Sequence, residues 1–208
     1  MSASAALRGA LKGALVVAYP ALVYVGLTRW GTRAVALAVL DAAAPRLVAA
    51  LRAGDASLRR LAAVPALTAL LAVAASVTRD RRLLLALPTL INLGFCATFA
   101  ASLRSLPVAE RFARMQVSDL SPAEVAYCRA VTVAWCGFFV LNGSVAAALA
   151  LWAPLRWWTV YTGALAYALI GLLFAVEYLV RVSRFGRLGD GPVDRLLARV
   201  LPAPTVRP

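Results

Sequence analysis

The stretch VTVAWCGFFVLNGSVAAALALW, residues 131–152, decides the fold class. It contains no charged side chain, and its most polar group is the amide of Asn142. A bilayer core needs a helix of about 20 mostly apolar residues, so this stretch predicts a membrane-spanning helix. The composition agrees, because 62% of the 208 residues are hydrophobic and the mean hydropathy is +0.81. The chain is more apolar than a soluble domain, in which about half the residues are apolar.

Outward from this stretch, other apolar segments have the length of membrane spans. The second is the least regular, because Asp41, Pro45 and Arg46 interrupt it. That segment either crosses the membrane, enters halfway or lies at the interface. The sequence predicts an all-α, polytopic transmembrane helix bundle, one domain over residues 1–208. It has about six spans, near residues 11–27, 34–51, 61–77, 83–101, 131–152 and 158–180.

The basic residues predict the orientation of the bundle. The net charge is +13, but the 22 basic residues are spread between apolar runs and form no continuous face for nucleic acid. Positive loops stay in the cytoplasm, so we expect a multi-pass protein of the cell inner membrane with both termini cytoplasmic. Most basic residues then lie on the inner side, and the outer side holds only Arg29, Arg33, Arg79, Arg81, Arg82 and Arg156.

Four tryptophans are expected on the outer side of the membrane. Tryptophan is enriched at the membrane–water interface, where its ring is apolar and its N–H remains hydrated. The predicted outer aromatic belt consists of Trp30, Trp152, Trp157 and Trp158.

Two polar segments are expected in the cytoplasm, residues 102–130 and the tail 181–208. In the first, Ser121, Pro122 and Glu124 form the signature of a helix start, which predicts a helix from Pro122 into the fifth span. Before it, apolar and charged residues alternate at helical spacing, which is typical of a short helix on the membrane surface. The apolar residues are Val108, Phe112 and Met115, and the charged residues are Glu110, Arg111 and Arg114.

Five polar residues within or beside the spans are candidate functional residues, because polar groups in hydrocarbon are costly. Asn92 and Asn142 fall near the middle of antiparallel spans, where they could hydrogen-bond or contact a substrate. Glu177 and Arg181 are four residues apart, so they either form an ion pair or place a carboxylate in an inner vestibule. Arg129 follows Cys128, whose thiol could be activated by a positive neighbour.

The composition disfavours an enzyme. The chain has no histidine, which removes the commonest general base and most catalytic metal sites. Cys96, Cys128 and Cys136 form no CxxC pair and have no ligand set nearby, so neither a zinc site nor a disulfide framework is indicated. We therefore expect no catalytic residue, no metal and no cofactor.

The C-terminal half resembles a family of small uncharacterised bacterial inner-membrane proteins. The resemblance rests on AYCRAVTVAWCGFFVLNGSVAAALALW from Ala126 to Trp152, on WWTVYTGALAYALIGLLFAVEYLVR from Trp157 to Arg181 and on INLGFCATFAASL from Ile91. Such proteins occur beside gene sets for aryl-polyene or polyketide-like fatty acid synthesis and are sometimes labelled ketosynthases. That label does not suit this chain, because a ketosynthase has a soluble fold with two catalytic histidines.

The resemblance and the charge pattern suggest an accessory protein for synthesis or export of an aryl-polyene or fatty-acyl lipid. Its expected partners are membrane lipids, acyl carrier protein or other membrane proteins, and its oligomeric state is open. If so, replacing Arg104, Arg111 and Arg114 should reduce recruitment of pathway enzymes or the product level. The alternative is a small transporter or flippase for a lipid-like or small-molecule substrate, with a path lined by Asn92, Asn142 and Glu177.

Overall fold

The computed structural model describes residues 18–52, 63–117 and 119–186. Within these ranges the chain is helical and contains no strand. The first helix, α1, occupies residues 18–29 of the described chain. The others are α2 Gly31–Arg52, α3 Ala63–Thr78, α4 Arg82–Leu85, α5 Leu87–Ser102, α6 Val108–Gln116, α7 Pro122–Trp152, α8 Leu155–Val160, a π-helix Tyr161–Leu165 and α9 Ala166–Phe185.

Four helical segments are long and apolar enough to cross a membrane, and the predicted all-helical fold is confirmed for the described residues. The third predicted span corresponds to α3, which has 16 residues and is shorter than these four. Most of the first span lies in α1, but its residues 11–17 lie outside the described chain, as does most of the predicted tail 181–208. The four segments are Gly31–Arg52, Arg82–Ser102, Pro122–Trp152 and Leu155–Phe185.

The irregular second span is one continuous helix, α2, that passes through Pro45. Arg46 donates a hydrogen bond to the carbonyl of Ala42 at 2.9 Å, and the Asp41 side chain is exposed. Two alanines of α2, Ala36 and Ala43, are buried, as are two of α3. Small residues let helix backbones approach closely, so these alanines favour the packing of α2 against α3.

By their internal contacts, the residues divide into two compact units. The first unit falls within Met1–Phe95 and Phe139–Leu165, and the second within Cys96–Phe138 and Ala166–Pro208. The core of the first unit contains Val23, Val35, Ala36, Ala75, Leu84, Leu85 and Trp158.

A proline break shapes the core of the first unit. Pro88 has no N–H to bond the carbonyl of Leu84, and the helix is interrupted at Ala86 between α4 and α5. The hydroxyl of Tyr19 donates to the Leu84 carbonyl, and the indole N–H of Trp158 donates to the Leu85 carbonyl, both at 3.2 Å. Side chains of other helices therefore bond the backbone oxygens at the break, as hydrocarbon requires.

The prediction that Trp158 belongs to an interfacial belt is wrong. Its side chain is completely buried in the core of the first unit, whereas Trp30, Trp152 and Trp157 are exposed. Trp157 and Trp158 are neighbours on α8, so successive side chains point about 100° apart and only one of them faces the core.

In the second unit, Trp135 is the centre of the aromatic packing. Its ring lies 4.7 Å from the ring of Phe174 and 6.3 Å from that of Phe99, measured between centroids. The predicted start of α7 is confirmed, because the helix begins at Pro122 and runs unbroken to Trp152. The Ser121 backbone N–H donates to the Glu124 carboxylate at 2.8 Å, and the Glu124 N–H donates to the Ser121 hydroxyl at 3.3 Å. This is a complete capping box.

Candidate functional site

Asn92 on α5 and Asn142 on α7 form the centre of the candidate site in the first unit. The Asn142 amide nitrogen donates to the Asn92 side-chain oxygen at 3.0 Å, so the predicted hydrogen bond between the two spans is present. The Asn92 nitrogen in turn donates to the Pro88 carbonyl at 2.8 Å. Both side chains are buried, with 9% and 5% of each residue exposed. The two amides therefore bind each other and the backbone.

Tyr161, at the start of the π-helix, extends this pair into a chain of three side chains. Its hydroxyl donates to the Asn142 side-chain oxygen at 2.7 Å. The hydrogen bonds then run in one direction, from Tyr161 to Asn142, Asn92 and the Pro88 carbonyl. We call these three side chains the polar chain. The sequence does not identify Tyr161 as part of the site, because a tyrosine at the membrane interface and one that bonds a buried amide have the same local sequence.

Gly143 allows the two helices of the polar chain to approach each other. A Cβ atom at this position would lie 3.1 Å from the Cβ of Asn92, which is tighter than ordinary contact. The hydroxyl of Thr89 donates to the Gly143 carbonyl at 3.3 Å. The lack of a side chain at Gly143 therefore lets α5 and α7 lie close together.

Glu177 and Arg181 form the predicted i,i+4 ion pair in the second unit. The Arg181 Nε lies 3.2 Å from the Glu177 Oε1, and both side chains are partly exposed. The guanidinium also lies over the Tyr178 ring, 5.3 Å from its centroid. Tyr127 of α7 donates from its hydroxyl to the Glu177 carbonyl at 3.1 Å, which ties α7 to α9. Glu177 therefore has a local counter-charge on its own helix.

Arg129 has a structural partner. Its guanidinium donates to the carbonyl of Leu103 at 2.9 Å, just beyond the end of α5. An arginine at this place bonds a free carbonyl and adds positive charge near the negative end of the helix dipole. The neighbouring Cys128 is buried, with 7% of the residue exposed. The structure thus brings Arg129 to a helix end, where it bonds the backbone.

Glu110, which was expected on the charged face of a surface helix, is buried, with 5% of the residue exposed. Its carboxylate accepts a hydrogen bond from the Arg114 Nε at 2.8 Å. The helix α6 is attached to α7 by the Ala109 N–H, which donates to the Thr132 hydroxyl at 3.3 Å. Thr132 is completely buried and donates to the Cys128 carbonyl at 2.9 Å.

Neither unit shows the side chains of a metal site among the described residues. No group of three or more cysteine and carboxylate side chains comes together there. Cys96, Cys128 and Cys136 are all free thiols.

Comparisons of the chain with known protein families, with curated proteins and with solved structures give no match.

Proposed function

We propose that the chain is an accessory protein of the bacterial inner membrane that docks an acidic partner during synthesis or export of an aryl-polyene or fatty-acyl lipid. It crosses the membrane about six times and keeps both termini in the cytoplasm. The support for this topology is the distribution of basic residues in the sequence. The lipid pathway rests on the family resemblance of the C-terminal half.

The observation that carries the docking proposal is the unequal exposure of charges in the second unit. Of its four described carboxylates, Glu110 and Glu124 are buried, with 5% and 7% of each residue exposed, Glu177 is partly exposed and only Asp119 is exposed. Arg104, Arg111 and Arg184 are exposed. The charge that this unit presents to its surroundings is therefore mainly positive, which favours an acidic partner such as an acyl carrier protein.

The contacts in the second unit identify the arginines to test. Arg114 pairs with Glu110, and Arg129 bonds the Leu103 carbonyl, so replacing either would also disturb the fold. Arg104 and Arg111 are exposed and are better probes. The control pair is Arg81, the N-cap of α4, and Arg82, its first residue, which are also exposed.

The test measures binding of a purified acyl carrier protein to the full chain in nanodiscs made of zwitterionic lipid, which has no net charge. We expect Arg104→Glu with Arg111→Glu to abolish binding that the wild type shows, and Arg81→Glu with Arg82→Glu to leave it unchanged. Binding should also weaken as salt is raised, because exposed charges are screened. Equal binding by both double variants would refute the docking proposal.

A transporter is the second candidate, and the π-helix Tyr161–Leu165 favours it. Segments of π-helix are frequent at functional sites, and this one carries the phenol of the polar chain. In that case water must reach Asn92 or Asn142 during transport. Loss of substrate flux in Glu177→Gln at unchanged protein level would support this function in preference to docking.

A further inference from the structure

On α6, two large apolar side chains are exposed and a carboxylate is buried, which is the reverse of the pattern expected for a helix in water. Phe112 and Met115 are 62% and 77% exposed, whereas Glu110 on the same helix is 5% exposed. A helix on the surface of a soluble protein buries its apolar residues and exposes its carboxylates. In α6 the protein covers the carboxylate and leaves the two large apolar side chains uncovered.

The positions on α6 separate an apolar face from a charged face. At about 100° per residue, Phe112 and Met115 lie within one sector, and Val108 lies between them. Glu110 and Arg114 lie on the opposite side, where they pair with each other. Arg111 projects from the flank of the apolar face.

The attachments of α6 fix its rotation about its own axis. The Ala109 N–H donates to Thr132, and the Val108 N–H donates to the Ser102 hydroxyl at 3.1 Å. Both bonds hold the first turn of the helix against residues of the second unit. Because the first turn is held, Phe112 and Met115 cannot turn inward without breaking these bonds.

We propose that the Phe112 and Met115 face of α6 inserts into an anionic lipid surface, with Arg111 at the level of the phosphates. An interfacial helix places apolar side chains about 5–10 Å into the headgroup and acyl boundary and basic side chains above them. The charge balance supports anionic rather than zwitterionic lipid, because Arg111 on the flank of this face is exposed and Glu110, the carboxylate of the same helix, is buried. The inference does not depend on the docked partner.

The test uses spin labels on the full chain, with the native cysteines replaced and one new cysteine added. The labelled positions are Phe112→Cys and Met115→Cys, and the control is Arg111→Cys on the flank of the same helix. All three side chains are exposed, so the labels have room. The chain is reconstituted into vesicles of phosphatidylcholine with or without phosphatidylglycerol. Collisions with oxygen report lipid, and collisions with a water-soluble nickel complex report solvent.

We expect oxygen to collide more often than nickel at positions 112 and 115, and the ratio to reverse at position 111. The labels at 112 and 115 should lie deeper when phosphatidylglycerol is present, and Arg104→Gln with Arg111→Gln should remove that difference. Free access of nickel at 112 and 115 would show a face in water. Exclusion of both reagents would show that protein covers it, from this chain or from a second copy. Either result overturns the proposal, and equal depth in the two lipids overturns its anionic part.

Discussion

The two units differ in the charge of the side chains that they bury. The first unit buries the uncharged side chains of Asn92, Asn142 and Thr162, and its interhelical bonds join residues far apart in sequence. The second buries two carboxylates, Glu110 and Glu124. Each of these is bonded by a neighbour three or four residues away on the same helix or at its cap.

The buried amides of the first unit bond between helices, whereas the buried carboxylates of the second unit bond within a helix or at its cap. The bonds between elements of the second unit are made by Thr132, Tyr127 and Arg129 instead. A neutral hydrogen bond between spans avoids bringing a charge into hydrocarbon, where it is expensive. A carboxylate paired locally stabilises its own helix and leaves few charges for contacts between helices. We therefore expect substitutions at polar or amphipathic contacts to cost more stability in the first unit than in the second.

The largest expected effect is that of Trp158→Ala. The substitution leaves a cavity and removes the donor to the Leu85 carbonyl, so we expect a loss of about 3–5 kcal/mol in the free energy of unfolding. Denaturation in mixed micelles measures this loss. Trp157→Ala is the matched control, because its ring is exposed. A loss as large as that of Trp158→Ala would contradict the account, because the burial of the Trp158 ring would then not explain the effect.

The next effect is that of Asn142→Ala. The substitution removes the hydrogen bonds to Asn92 and Tyr161. Side-chain hydrogen bonds between membrane helices contribute about 0.6 kcal/mol on average and about 1.7 kcal/mol at most. We therefore expect a loss of about 1–2 kcal/mol in the free energy of unfolding. The same denaturation measures it, with Ser144→Ala as the control on an exposed face of α7. An unchanged stability in Asn142→Ala would show that the polar chain does not hold the helices together.

In the second unit, Ser121→Ala tests a bond within one helix. Loss of the capping box should cost about 1 kcal/mol and fray the start of α7. Hydrogen exchange of the first turn of α7 measures the fraying, and Ser105→Ala, at an exposed serine outside a helix, serves as the control. Exchange that rises throughout both units would contradict a local role.

The smallest effect is that of Glu177→Gln. The pair with Arg181 is partly exposed, so we expect a loss of at most about 0.5 kcal/mol in unfolding free energy. A loss several times larger, measured by denaturation in mixed micelles, would contradict the local, solvent-screened role of this pair. If the stability is unchanged but the cells make a different amount of the lipid product, Glu177 has a functional role rather than a structural one.

Several local features could be predicted from the sequence because they depend on few residues. The capping box follows from the spacing of Ser121 and Glu124, and the ion pair from the spacing of Glu177 and Arg181. The contact between Asn92 and Asn142 follows from the depth of two amides in antiparallel spans. Each of these three features follows from residue spacing along a helix or from the depth of a residue within its span.

Other features depend on which face of a span meets its neighbours, and a span that is apolar on every side does not show that face in its sequence. The burial of Trp158, the bond from Tyr161 and the two donors at the Pro88 break are of this kind. A proline inside a span does indicate that a carbonyl needs another donor, but it does not identify Tyr19 as that donor.

Cysteine labelling in intact cells tests the central claim, a six-span protein whose polar chain is closed to water. Single cysteines in a cysteine-free background at Asp80, Asp119, Ala153 and Thr89 are exposed to a membrane-impermeant maleimide. We predict labelling from outside at Asp80 and Ala153, labelling at Asp119 only after permeabilisation, and none at Thr89, which lies one turn from Asn92. Labelling of Asp119 from outside would contradict the topology, and labelling of Thr89 would contradict a closed polar chain.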